Sequence, residues 1–400
     1  VVTAIDPAVT AATDAYFEAT RRIVVQAGDV SARYGLFMRR PVVACLEPAV
    51  RYLAAHGGPG LAILHRAPEG STVAAETPLL IYEGSLARLV ELETGLLQRT
   101  GVPCVAAANA AAIVAALPEV PFIAMHARHC AGDDMVRWCE YAAAVGSLAA
   151  RRTIPTARGF VGGSTTIGAA FVADLLPDLP WRRMGTMPHV LIGYAQGSAL
   201  AATRLFLAHT DIVGVTVLVD FQGREVSDAC EVAIAWAAGE LPGTEGKRLS
   251  FRLDTHGGRF IEGLDSDGGR RRLAARLGLA PDELVPVLRT RLGLGPAEDD
   301  RLAMALFGPG MSAAAVLHFR QALDAAGQPE AGIVASSGFD VFKCRAFAAV
   351  GMGGVIAGVG TGSFLPAGLA ETYATADAFM IDGVFRVKEG RQTLFQDWAR

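Results

Sequence analysis

The rhythm of apolar and polar positions changes near residue 105 of this 400-residue chain. Before that point helical and extended patterns alternate irregularly. Residues 13–35 place Tyr16, Phe17, Ile23 and Val24 at spacings suited to one helix face, with Thr13 or Asp14 as cap, and predict a helix. "FMRRPVVACLE" (37–47) reads as a strand, and the stretch beginning at Ser71, "STVAAETPLLIYEG", as extended and punctuated chain. "SLARLVELETGLLQRTG" predicts a helix capped by Ser85 and stopped by Gly101, with leucines at 86, 89, 92, 96 and 97 on a broad buried face. The first hundred residues therefore predict a mixed α/β module.

Beyond residue 105, short apolar runs are separated by helical stretches, the pattern of parallel α/β structure. The runs are "PFIAMHAR" (121–128), "WRRMGTMPHVL" (181–191), "DIVGVTVLVDF" (211–221), "KRLSFRLDT" (247–255), "AGIVASSGFD" (331–340) and "GGVIAGVGT" (353–361). Each closes on polar or glycine residues: His126 and Arg128, Thr186 and His189, Asp220, Arg252 and Asp254, Ser336 and Ser337, and Thr361. A barrel assembles its active site from the carboxyl ends of several strands, so this delivery of polar groups is what a catalytic barrel needs. "DSDGGRRRLAARLG" (265–278) reads as a polar loop entering a helix.

Composition narrows the function classes. With 52% apolar and 19% charged residues and a net charge of −4, the chain is globular and has no basic stripe for nucleic acid. No basic leader and no stretch of ~18 apolar residues is seen, so a soluble protein without membrane partners is expected. The six cysteines, at 45, 104, 130, 139, 230 and 344, follow no metal-binding spacing and predict free thiols in a cytoplasmic, reducing setting. Lysines occur only at 247, 343 and 388, none in a position for Schiff-base chemistry at a strand end.

Several candidates for chemistry remain, each beside a plainer role. "SSGFD" (336–340) and "GVGTG" (358–362) are either simple turns or, on successive strands, an anion cradle of backbone N–H groups. Asp220 and Asp254 either cap following helices or, with Arg252, hold Mg²⁺ and a polyphosphate. "FVGGSTTIG" (160–168) is a helix cap or a source of neutral hydrogen-bonding groups, Ser164 among them. His189 is either the polar end of a buried element or a nucleophile.

Together, "TDAYF" (13–17), "ETPLLIYEGSLARLVELETGLL" (76–97), "GGST" (162–165), "MGTMPHVLIG" (184–193), "FRLDT" (251–255), "SSGFDVFK" (336–343) and "GVGT" (358–361) resemble the nicotinate phosphoribosyltransferases, type II phosphoribosyltransferases of the shorter archaeal-like branch. The resemblance implies an irregular, TIM-like α/β barrel (residues 106–364) with a smaller N-terminal mixed α/β domain (1–105), to which 365–400 are a candidate addition. It implies a homodimer with active sites at the subunit interface, Mg²⁺ as cofactor, and ATP and phosphoribosyl pyrophosphate as substrates.

By the same resemblance His189 is the histidine phosphorylated by ATP, Arg252 and Asp254 lie around the ribose pyrophosphate and base, and Asp220 keeps the family's acid-rich strand end; Asp220 is a further candidate catalytic residue, and Asp254 and Asp220 are the candidate Mg²⁺ ligands. Tyr16 stacks on the pyridine ring across the dimer, Arg128 and Thr186 bind substrate, and Ser337, Gly338, Gly358, Gly360 and Thr361 bind phosphate. Ser164 stands where nicotinamide-using relatives carry an aspartate, so a carboxylated base is expected. The implied activity is ATP-coupled formation of nicotinate mononucleotide in NAD salvage. The chain departs from the family pattern at His129, Gln222 and Ser337, which keeps open quinolinate phosphoribosyltransferase or a non-catalytic nucleotide-binding homologue.

Overall fold

A glycine sets the first boundary. The computed structural model describes residues 6–210 and 214–399, and in it α1 (Pro7–Ala11) and α2 (Ala15–Ala27) are followed by Gly28 at φ 116°, a conformation that ends the helix. The predicted helix 13–35 therefore stops eight residues early, and β1 (Ser31–Met38) begins in its place. Pairing decides this: β1 lies between two antiparallel neighbours, which supply both edges of its backbone with partners. No residue of α2 is buried within the chain, and Ile23 is 64% exposed.

A short hairpin of β2 (Val42–Val43) and β4 (Thr72–Val73) brackets α3 (Glu47–His56) and β3 (Ala62–Arg66). β5 (Pro78–Ser85) then leads into α4, whose cap is Ser85, its Oγ accepting from the Arg88 N–H. Gly101 does not stop this helix. α4 runs from Leu86 to Ala116, passing through Gly101 and Pro103, because its far half is buried against α5 (Asp133–Thr153). Packing outweighs local propensity here, and the missing Gly101 side chain leaves room for the Thr372 carbonyl. α4 is long and apolar enough to cross a bilayer by length and composition, yet 56% of its most apolar window is buried inside this fold.

The predicted runs form the second layer. β6 (Phe122–Ala124), β7 (Phe160–Gly163), β8 (Arg182–Arg183), β9 (Gly214–Leu218), β10 (Arg248–Leu253), β11 (Gly332–Ala335) and β12 (Gly358–Thr361) make one parallel sheet in the order β8-β7-β6-β12-β11-β10-β9. Residues 211–213 of the run at 211–221 lie outside the described residues. The Met187 N–H donates to the Thr216 carbonyl (3.0 Å), linking the chain beyond β8 to β9 and curling the sheet toward a ring.

The crossovers are α5, α6 (Thr166–Leu175), α7 (His189–Tyr194) with α8 (Ala199–His209), α9 (Glu225–Ala237), then α10 (Ser266–Leu277), α11 (Leu284–Leu292), α12 (Asp299–Phe307) and α13 (Ala313–Ala325), and finally α14 (Val341–Ala349). Most of "DSDGGRRRLAARLG" is the helix α10, capped by Asp265, and not a loop. β13 (Ala374–Ile381) and β14 (Val384–Phe385) return to the small sheet, ordered β14-β13-β1-β5-β3, and α15 (Gln392–Phe395) stacks Phe395 on Phe379 at 4.7 Å. The fold is thus a TIM-like α/β barrel beside a smaller antiparallel sheet.

Candidate active site

The carboxyl ends of β9, β10 and β11 converge on one polar network. Arg252 fans three donors: Nε to Ser336 Oγ (2.9 Å), Nη1 to Thr186 Oγ1 (3.1 Å) and Nη2 to Asp254 Oδ2 (2.7 Å). Ser336 Oγ–H donates to Asp254 Oδ1 (2.8 Å), so both carboxylate oxygens are held. Period-2 alternation puts Arg252 and Asp254 on the same side of the chain. Neither aspartate caps a helix: α9 starts at Glu225 after Arg224, and α10 starts after Asp265.

Beside this network His189 opens α7. Its Nε2 lies 3.2 and 3.1 Å from the two oxygens of Asp220, whose side chain is 7% exposed against 45% for the histidine. A carboxylate accepts only, so Nε2 carries the proton and Nδ1 keeps the lone pair. Arg259 anchors the aspartate from behind, Nη2 donating to the Asp220 carbonyl (2.9 Å) and pairing with the buried Glu225 (2.6 Å). His189 is thus half-exposed and oriented.

Ser337 and Gly338 follow β11, and both take positive φ, 76° and 69°. In a serine that conformation is strained. The Lys343 ammonium donates to the Ser337 carbonyl (2.8 Å), and burial pushes its pKa down to about 8, against the pull of Asp340 and Asp254. With Arg301 these residues line a recess of about 240 Å³. Gly358 and Gly360 lie inside β12, not in a turn. Gly360 is where a Cβ would strike Met125, and Thr361 Oγ1 is spent on the Phe339 carbonyl (2.8 Å).

Inside the sheet lies a cavity of about 790 Å³. Ser164, Thr166 and Thr186 line it together with Arg182, Arg183, Arg248 and Gly358. Thr165 supplies the cap of α6, accepting from the Gly168 N–H (3.2 Å), so the cap and the cavity share one segment. Arg128 sits in a 3₁₀ turn (Ala127–His129) after β6 and is exposed. Tyr16 is 63% exposed on α2, against Phe17, and no contact among the described residues joins it to the network.

Sequence reasoning marked Ser336 only as a polar strand end and gave it no role; it assigned Lys343 only to a helix, and it passed over Arg259, Glu225 and the cavity arginines. Ser336 was marked because a hydroxyl ends an apolar run, a local signal, while the others depend on packing between distant segments.

No family model matches the chain, and no curated protein does. Solved structures do. A nicotinate-nucleotide pyrophosphorylase from Pyrococcus furiosus is similar at 20% identity and TM-score 0.64, over 98% of this chain and 80% of its own. Human nicotinic acid phosphoribosyltransferase is similar at 18% identity and TM-score 0.55, over 94% and 75%. A nicotinate-nucleotide pyrophosphorylase from Ehrlichia chaffeensis follows at 11% identity and TM-score 0.50, over 87% and 88%. At these identities the likeness is one of fold alone, the fold of the nicotinate-nucleotide pyrophosphorylase and nicotinic acid phosphoribosyltransferase structures, and it agrees with the resemblance carried by the sequence motifs.

Proposed function

We propose that the chain is a nicotinate phosphoribosyltransferase that joins nicotinate to phosphoribosyl pyrophosphate, coupled to ATP hydrolysis. The observation that carries this reading is the oriented His189–Asp220 pair standing beside the Arg252–Asp254–Ser336–Thr186 network, whose Thr186 also lines a cavity large enough for a pyridine ring. In this reading the sugar phosphate sits on the Ser337–Gly338 turn, with Lys343 and Arg301 as cations beside it. The ring nitrogen forms its bond to the ribose C1 as the C1–oxygen bond to pyrophosphate breaks, and Arg252 stabilises the departing charge. His189 Nδ1 is the atom free to attack a γ-phosphoryl group, while Asp220 holds the opposite nitrogen.

The donor set suits Mg²⁺ in a limited way. Two carboxylates, Asp254 and Asp220, stand at neighbouring strand ends, which suits a cation that takes one or two carboxylates plus substrate oxygens. Asp254 and Asp220 would hold it through their remaining lone pairs, where it would neutralise pyrophosphate charge. A homodimer is supported by exposed apolar groups on α2 (Tyr16, Ile23) and by Val190, Tyr194 and Phe221 around His189.

A second reading, quinolinate phosphoribosyltransferase, is favoured by one observation. Three arginines, at 182, 183 and 248, line the cavity, a supply of cations suited to a dicarboxylate. The deciding experiment is turnover of phosphoribosyl pyrophosphate with nicotinate, nicotinamide or quinolinate, each with and without ATP. ATP-stimulated product from nicotinate supports the proposal. Product and CO₂ from quinolinate alone support the second reading, and no product from any base leaves a nucleotide-binding homologue.

A further inference from the structure

One buried acid takes no part in the chemistry above. Glu140, on α5, is fully buried, and its carboxyl reaches beneath the segment that joins β7 to α6. Oε1 accepts from Trp181 Nε1 (2.9 Å), and Oε2 accepts from Thr165 Oγ1 (3.4 Å), which itself accepts from the Gly168 N–H (3.2 Å). Two glycines make the space. A Cβ on Gly163 or on Gly168 would lie 2.1 or 2.0 Å from this carboxyl. These are the residues on either side of Ser164–Ile167, so the chain is small where the acid must enter.

The connection matters because β8 is only two residues long. Its backbone pairs with β7 through Gly162–Arg182 and Gly163–Arg183, and the Met184 N–H donates to the Gly163 carbonyl (2.8 Å) just beyond them. Ser164 and Thr166 on one side, and Arg182, Arg183 and Thr186 on the other, form one wall of the cavity. A two-residue ladder holds such a wall weakly. On the cavity side Arg183 Nη1 donates to Thr166 Oγ1 (3.0 Å), and from behind Glu140 ties the two sides together, from Thr165 to Trp181.

We infer that Glu140 is the positioning residue of the acceptor-base pocket, clamping the β7–α6 segment to the entry of β8 so that Ser164 and the cavity arginines face one ligand. The inference rests on the pyridine-carboxylate transfer proposed above. Burial pushes the Glu140 carboxyl up to about 7, so near neutrality it is often protonated and glutamine is a fair mimic of it. Glutamine can accept from Trp181 and donate to Thr165; alanine can do neither.

Two readouts on the full-length protein separate this inference from the reading on which it rests. Trp181 emission, taken as the difference between the parent and Trp181→Phe, reports the clamp whether or not turnover occurs. Glu140→Ala should shift that emission to the red and Glu140→Gln should not; an unshifted Glu140→Ala overturns the inference. In steady state Glu140→Ala should raise the nicotinate KM about tenfold, the scale of one hydrogen bond, with kcat kept within about twofold. Glu140→Gln should return KM to near the parent value. A fall in kcat at constant KM, or a glutamine variant as impaired as alanine, overturns it. Should Glu140→Ala not fold, Trp181→Phe keeps the carboxyl on Thr165 and should still raise the nicotinate KM; an unchanged KM counts against the clamp. Absence of turnover in the parent overturns the transfer reading alone, and the emission then decides the clamp.

Discussion

The two arcs of the barrel treat their polar side chains differently. Along β9, β10 and β11, Asp220, Arg252, Asp254 and Ser336 bond to one another or to His189 and Thr186. Along β7 and β8, Ser164, Arg182 and Arg183 face the cavity; there Arg183 Nη1 donates to Thr166 Oγ1 (3.0 Å), and further support comes from behind, through Glu140. The first arc is preorganised before any ligand arrives, as stabilisation of a developing charge demands. The second leaves open groups for a ligand to satisfy. Under the proposed function, one arc suits reaction and the other choice of substrate.

The sharpest way to break this contrast is Arg252→Ala, which should lower kcat/KM for phosphoribosyl transfer on the order of 10²–10³-fold, as for loss of a main charge-stabilising donor. A loss below tenfold, with every base affected alike, would take the network out of the reaction. Next in size is His189→Ala. It should abolish ATP stimulation and stoichiometric ADP release, a drop of ~100-fold in the coupled rate, while slow ATP-independent product remains. A folded variant that still hydrolyses ATP in step with product would return this histidine to a structural role.

On the selective arc, Ser164→Asp should disfavour nicotinate relative to nicotinamide by about 1–3 kcal/mol in kcat/KM, the scale of a like-charge or unpaired polar contact. Equal losses for both bases would move Ser164 out of the base pocket.

Stability gives a subtler test on the same arc. The Glu140 carboxyl titrates near 7 in the fold against an ordinary value of 4.5, so the folded state binds more protons between these limits. Its contribution therefore worsens as pH rises from 4.5 through 7 and is constant above. Urea unfolding should find Glu140→Gln equal to the parent near pH 4 and more stable by about 1–3 kcal/mol at pH 8. The reverse trend would mean that the carboxyl is ionised and paired. Smallest is Ser337→Gly. It should stabilise the fold by about 0.5–1 kcal/mol, since glycine adopts φ 76° without strain, with turnover retained.

Legibility followed the same division. The apolar runs ending in Asp220, Arg252–Asp254 and Ser336 were readable because alternation and strand ends are local properties. The convergence of Thr186 with Arg252 across 66 positions was reachable only through the family resemblance. Failures occurred where tertiary partners overrode local pattern: strand pairing at 31–38, and the burial that carries α4 past Gly101. Glu140 was invisible because an acid within a helix normally reads as solvent-facing. Only the two glycines at 163 and 168 hinted at a space something must fill, and they also fit a plain turn.

The central place of β1 in the small sheet has a temporal consequence. Residues 32–38 pair with 374–381, more than three hundred positions later, and with 78–85 on the other edge. On the ribosome β1 and β5 can meet early, but the outer edge of β1 must wait, unpaired, until every barrel strand has emerged. That edge is a template for another chain until β13 covers it. The small sheet is therefore completed only after the barrel strands and, during synthesis, stays open to misassembly until then.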